Sequence, residues 1–158
     1  MAKADVVTRL SLWLALLSLP LAGCAAPVDG PPPFPGNQIV GSSGSCLDVE
    51  RGGAADGTPL ILFHCHGSPN QSWTVSNGQI VGTSGSCIDV QGSQPVDGSP
   101  AILVHCDGAP SQRWNIVNGT IVGIGGKCLD VLDQSSADRS PIILAPCHGN
   151  ASQQWALQ

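Results

Sequence analysis

The chain has 158 residues and a formal net charge of −5, with 6 Lys+Arg against 11 Asp+Glu. That length allows one domain, or one domain plus a tail. The four basic residues beyond the first ten positions (Arg51, Arg113, Lys127, Arg139) are scattered, which excludes a nucleic-acid binder, since clustered cations are needed to displace counterions from phosphates. Twenty Gly and 13 Pro mark a turn-rich β protein, and a 42% hydrophobic fraction opposes disorder.

In chain order, Lys3 and Arg9 precede an apolar run from Leu10 to Leu21. A run of about twelve residues is too short to cross a bilayer, which takes about 20, and has the charged n-region and short h-region of a secretory signal. It ends in Leu21-Ala22-Gly23-Cys24, which resembles a bacterial lipobox. The resemblance implies a lipoprotein signal over 1–23 and a lipid anchor at Cys24, holding an exported protein in a bacterial cell envelope. Ala25, which is not Asp, points to the outer membrane if the host is Gram-negative. Ordinary cleavage near Ala25 or Ala26, giving a secreted protein, is the alternative. Residues 24–36 add a Pro-rich stretch whose backbone favours extended, semi-rigid conformations, hence a spacer.

The remainder, residues 37–158, is an internal repeat. Cys46, Cys87 and Cys128 recur at an interval of 41, and so do Cys65, Cys106 and Cys147, Gln71, Gln112 and Gln153, and Trp73, Trp114 and Trp155. The copies run 38–78, 79–119 and 120–158. Each parses into four strand-like pieces between Gly, Pro, Ser and Asn turns, in the first copy roughly 38–41, 46–50, 60–65 and 72–75. Alternation puts Leu47 and Val49 on one face, and Cys46 and Asp48 on the other. Three copies are too few for a propeller, which takes about four to eight blades. The expected fold is an all-β β-trefoil of about twelve short strands.

The six repeat cysteines admit many pairings. Repeat symmetry favours Cys46–Cys65, Cys87–Cys106 and Cys128–Cys147. Cys24 is left over, as lipidation would require. His64, Cys65, His66 and His148 offer metal-ligand types, but without the spacing of a zinc site, so neither metal nor cofactor is expected.

Each copy carries Cys-[Leu/Ile]-Asp-Val and then Gln-x-Trp, at 46–49 and 71–73, 87–90 and 112–114, and 128–131 and 153–155. This pattern resembles the ricin-type lectin domain, a β-trefoil with a repeated QxW motif. The resemblance implies up to three shallow pockets for galactose, xylose or related sugars, a Trp in the core, a Gln that orients the site Asp, and an Asp that binds sugar. The Asp residues are Asp48, Asp89 and Asp130. Physical chemistry agrees with the pattern: a carboxylate accepts hydroxyl hydrogen bonds, an aromatic ring covers the sugar's C–H face, and amides fill the remaining donors and acceptors.

Positions at which the copies differ single out the first. The family's stacking aromatic falls on Phe63, Val104 and Ala145. Its sugar-contacting Asn falls on Asn70, Ser111 and Ser152. The residue after the second Cys is His66, Asp107 or His148. The expected sugar site is therefore Asp48, Phe63, His66, Asn70 and Gln71, with weaker or vestigial sites at Asp89 and Gln112, and at Asp130, His148 and Gln153. Phe63 as a core residue, and His66 as a solvent-exposed strand end, are the alternatives. One departure stands in every copy: the family often has Gln four residues before the second Cys, where this chain has Ile61, Ile102 and Ile143.

Glycoside hydrolysis needs two facing carboxylates of different pKa. Asp48, Glu50 and Asp56 could be nominated, but each carboxylate that the family pattern places is a ligand-binding one. The expected function is a lectin without catalysis, a monomer whose partners are glycans or polysaccharides and, through Cys24, a membrane. The alternative is a structural or protein-binding trefoil with decayed sugar sites.

Overall fold

A computed structural model describes residues 37–82 and 84–158. The signal, the lipidated Cys24 and the spacer expected from the sequence lie outside the described residues. The first copy forms β1 (Ile39–Gly41), β2 (Cys46–Val49), β3 (Thr58–Phe63) and β4 (Trp73–Ser76). The second forms β5 (Gln79–Gly82), β6 (Ser86–Val90), β7 (Ala101–His105) and β8 (Asn115–Val117). The third forms β9 (Thr120–Val122), β10 (Cys128–Val131), β11 (Ser140–Ala145) and β12 (Trp155–Leu157).

The last strand of each copy pairs antiparallel with the first strand of the next: β4 with β5, β8 with β9, and β12 back with β1. The inner strands form the hairpins β2–β3, β6–β7 and β10–β11. These hairpins meet around the pseudo-threefold axis, β3 pairing with β7 and β11, and Pro100 bridging to Ile143. The result is the β-trefoil expected from the repeat. The third piece of the first copy starts earlier than expected, because Thr58 and Pro59 pair with Leu103 and Ile102 of the next hairpin. It also ends earlier, at Phe63 opposite Cys46, and the next residue's backbone N–H, that of His64, donates to Asp138 Oδ1 at 2.7 Å.

One hydrophobic core serves all three copies. Leu47 and Val49, Ile88 and Val90, and Leu129 and Val131 pack inward with Trp73, Trp114 and Trp155. Each indole N–H donates to a buried carbonyl, of Leu47, Ile88 or Leu129, at 2.9–3.1 Å. A buried indole left without a partner would cost free energy, so these bonds pin the rings. Space beside them is tight: a Cβ on Gly123 would lie 2.5 Å from the Trp114 ring.

The outer face of β2 is buried as well. Cys46 is covered by its disulfide and Asp48 by polar side chains. All three disulfides form within copies, Cys46–Cys65, Cys87–Cys106 and Cys128–Cys147. Each restricts the unfolded chain by about 3 kcal/mol, which matters in a domain of about 120 residues.

Polar clamps join copy to copy. His105 Nδ1 and backbone N–H meet the two oxygens of Asp56 at 2.6 and 2.7 Å. His64 meets Asp138 in the same way. At the third junction Pro146 stands where those histidines are, and Asp97 pairs with Lys127 instead. The hydrogen bond with Asp56 raises the pKa of His105, and the same bond lowers that of Asp56. Asp138 is lowered by its bond with His64.

Candidate functional site

Asp48 sits at the centre of the first copy's outer face, its side chain 3% exposed. Asn70 Nδ2 donates to its Oδ1 at 2.6 Å, and Gln71 Nε2 donates to its Oδ2 at 2.7 Å. The short 3-10 turn Pro69–Gln71 brings both amides to it. His66 Nε2 lies 3.2 Å from the same Oδ2. The Ser68 backbone N–H donates to His66 Nδ1, so Nδ1 is the acceptor and Nε2 carries the proton given to Asp48. A carboxylate has about four acceptor positions. Three are filled, and the free one is on Oδ1.

Gln71 is fully buried. Its Nε2 also donates to the His64 carbonyl, and its Oε1 accepts from the His66 backbone N–H. Its part is therefore to hold Asp48 and the 64–66 loop in place, rather than to meet a ligand. Gln112 and Gln153 are buried in the same way against Asp89 and Asp130.

A cavity of about 260 Å³ opens over Asp48, bounded by Phe63, His66 and Asn70. Phe63 is half-buried rather than part of the core, and its ring stands 5.8 Å from that of His66, edge to face. Ile61 lies directly across the ladder from Asp48 and forms an apolar wall where the family often places Gln. His66 is exposed as a residue, but its ring is tied into the carboxylate cluster. Sequence reading missed the remaining lining, Glu50, Arg51, Gly52 and, from the third copy, Arg139. The signal available for Arg139 was a break in the repeat, since Gly57 and Gly98 occupy its equivalent positions.

In the second copy, Asp89 accepts from Gln112 at 3.0 Å and from its own neighbour, the Val90 N–H, at 2.6 Å. Asp107 is an acceptor where His66 is a donor, and it takes the Ala109 N–H. Ser111 is too short to replace Asn70, and its hydroxyl is buried without a partner. In the third copy, His148 and Gln153 both reach Asp130 Oδ2 at 2.9 Å. Asp130 Oδ1 and the Ser152 hydroxyl are buried and unpaired. Among the described residues no three metal-ligand side chains converge.

The pattern of the ricin-type beta-trefoil lectin domain matches residues 36–155. The chain belongs to that family. Nigrin b of Sambucus nigra is 49% identical over 39 residues, which is 25% of this chain and 7% of that protein. The designed threefold-symmetric protein ThreeFoil superposes with a TM-score of 0.71 at 30% identity, over 77% of this chain and 96% of that one. A non-toxic homologue of type II RIPs from Momordica charantia, in complex with α-methyl-D-galactoside, superposes with a TM-score of 0.69 at 26% identity, over 77% and 46%. The matched stretch thus spans only a small part of that curated relative, and the family resemblance expected from the Gln-x-Trp repeats holds.

Proposed function

We propose that this chain is a carbohydrate-binding lectin that holds glycans without altering them. Galactose- or xylose-type sugars would be taken mainly by the first copy. The observation that carries this reading is that the first copy joins a carboxylate, a half-buried ring, an imidazole and an amide around one open cavity. The galactoside-bound relative supports the sugar type. The sugar's C–H face would rest on Phe63. Its hydroxyls would reach Asp48 through the free position on Oδ1 and by displacing His66, the longest of the three bonds, so that His66 and Asn70 turn to the outer hydroxyls. A single shallow pocket of this kind gives a Kd on the order of millimolar.

Tethering would compensate for that weakness. The lipobox-like Leu21-Ala22-Gly23-Cys24 and the odd cysteine count support a lipid anchor at Cys24, with the 24–36 spacer holding the domain off the surface of a bacterial envelope. Many anchored copies meeting clustered glycans gain effective concentration. Labelling with a fatty-acid analogue should fail in Cys24→Ser, and labelling that persists overturns the anchor.

Calorimetric titration with methyl galactoside and methyl xyloside tests the site. Loss of binding in Asp48→Ala, with Asp89→Ala and Asp130→Ala unchanged, is expected. Equal losses from all three, or none from folded Asp48→Ala, overturns a principal first-copy site. A trefoil that meets a protein partner is the second reading, favoured by the near-complete covering of Asp48. A folded chain that binds no glycan would favour it.

A further inference from the structure

Three turns occupy equivalent places, one per copy: Asp56-Gly57, Asp97-Gly98 and Asp138-Arg139. Each donates its second N–H across a copy boundary, to the Leu103, Leu144 and Leu62 carbonyls respectively. All three second residues have left-handed backbone, with φ of 87° and 82° at the glycines and 69° at Arg139. Glycine adopts this conformation freely, whereas a residue with a Cβ pays about 1 kcal/mol for it. The first copy's cavity is thus the one closed by the strained arginine, while the equivalent turns of the other two junctions have glycine at that position.

Among the described residues, Asp138 attracts the guanidinium only through space. Among the described residues, the Arg139 side chain makes no hydrogen bond and no ion pair. Its neighbour Asp138 is already bonded to His64. The other charges around the cavity are engaged: Asp48 holds three N–H donors, and Glu50 lies 3.8 Å from Arg51. Arg51 sits in left-handed backbone too, with φ of 54°, and its side chain is 80% exposed. Strained residues cluster at ligand sites, and a guanidinium is the side chain best matched to the planar or tetrahedral oxygens of carboxylate and sulfate.

We propose that Arg139 makes the first-copy site selective for anionic sugars, a uronic acid or a sulfated hexose, with the sugar ring against Phe63 and the acid group on the guanidinium. This rests on the sugar-binding reading of that cavity and adds to it the class of glycan taken. The site would accordingly be shared between copies: the hydroxyl-binding part belongs to the first, and the charge-reading part to the third.

The test uses the full chain and three matched pairs: galactose with galacturonic acid, galactose 3-sulfate and galactose 6-sulfate. At least one anionic sugar should bind about tenfold more tightly than galactose, the scale of one charged hydrogen bond. Arg139→Gly should remove that preference, so that the anionic sugars bind no more tightly than galactose measured in the same variant. The variant will fold, because two copies already carry glycine at this place. Galactose binding with no preference for any anionic partner overturns the inference and leaves the sugar site standing, as does a preference that survives Arg139→Gly. A folded chain that binds none of the four sugars overturns the sugar site, and the inference with it.

Discussion

The first and second copies share the strand pattern, the disulfide, the buried Gln and the indole bonded to a core carbonyl. Yet around Asp48 stand Phe63, His66 and Asn70, while around Asp89 stand Val104, Asp107 and Ser111. In the first, three side chains donate to the carboxylate. In the second, a backbone N–H has folded onto the Asp, and the residue in the imidazole slot is itself an acceptor. The scaffold tolerates both, so what folds the copy and what equips the site are carried by different residues. The third copy lies between: it keeps the imidazole but leaves Asp130 Oδ1 and Ser152 unpaired, because serine cannot span the gap that Asn70 fills.

The largest test of this contrast is the central carboxylate. Asp48→Ala should weaken glycan binding by about 100-fold, the worth of two charged hydrogen bonds at about 1.5 kcal/mol each. Asp89→Ala should leave binding unchanged while costing stability, both readable by titration and thermal melts on the same samples. Next comes the part that the copies share. Gln71→Ala and Gln112→Ala should each cost about 2 kcal/mol in denaturant unfolding, because each strands a half-buried carbonyl, one or two backbone N–H groups and the Asp. A large inequality between the two would mean that the buried amide is not simply scaffold.

A smaller effect separates the ring slots. Phe63→Val, which gives the first copy the second copy's residue, should weaken binding by about 1 kcal/mol, or roughly fivefold, while changing stability little. The reciprocal Val104→Phe should create no site alone, since Asp107 and Ser111 still supply no donors to Asp89. NMR titration of both variants would show whether the ring or the donor set is limiting.

The smallest effect concerns the clamp between these two copies. His105 is raised above 6.5, so its contribution is complete below that value and is lost as pH rises through the raised pKa. Asp56 is lowered below 3.8, so its contribution is complete above that value and is lost as pH falls through the lowered pKa. The clamp therefore acts in full between 3.8 and 6.5. The melting-temperature deficit of Asp56→Asn should be largest near about pH 5 and shrink toward about pH 8. A deficit independent of pH would show that the pair contributes by shape alone.

The interval of 41 residues, with Cys, Asp, Gln and Trp in register, determined the trefoil, the pairing of cysteines within copies and the uneven equipment of the three sites. These properties are local or repeated, and a repeat has to satisfy the same packing three times. Phe63 and Asn70 were legible as candidates because each stands in one copy alone, and His66 because the second copy has Asp107 in its place. Tertiary structure alone decided that His66 and Asn70 bond to Asp48 rather than stand free, and that Gln71 is sealed from solvent, since both depend on the turn that folds residues 64–71 over β2. It alone also carried Arg139 to a cavity belonging to another copy. That placement follows from the closing of the ring, where the turn before β11 donates to Leu62, a contact between residues 77 positions apart that no spacing within a repeat can express.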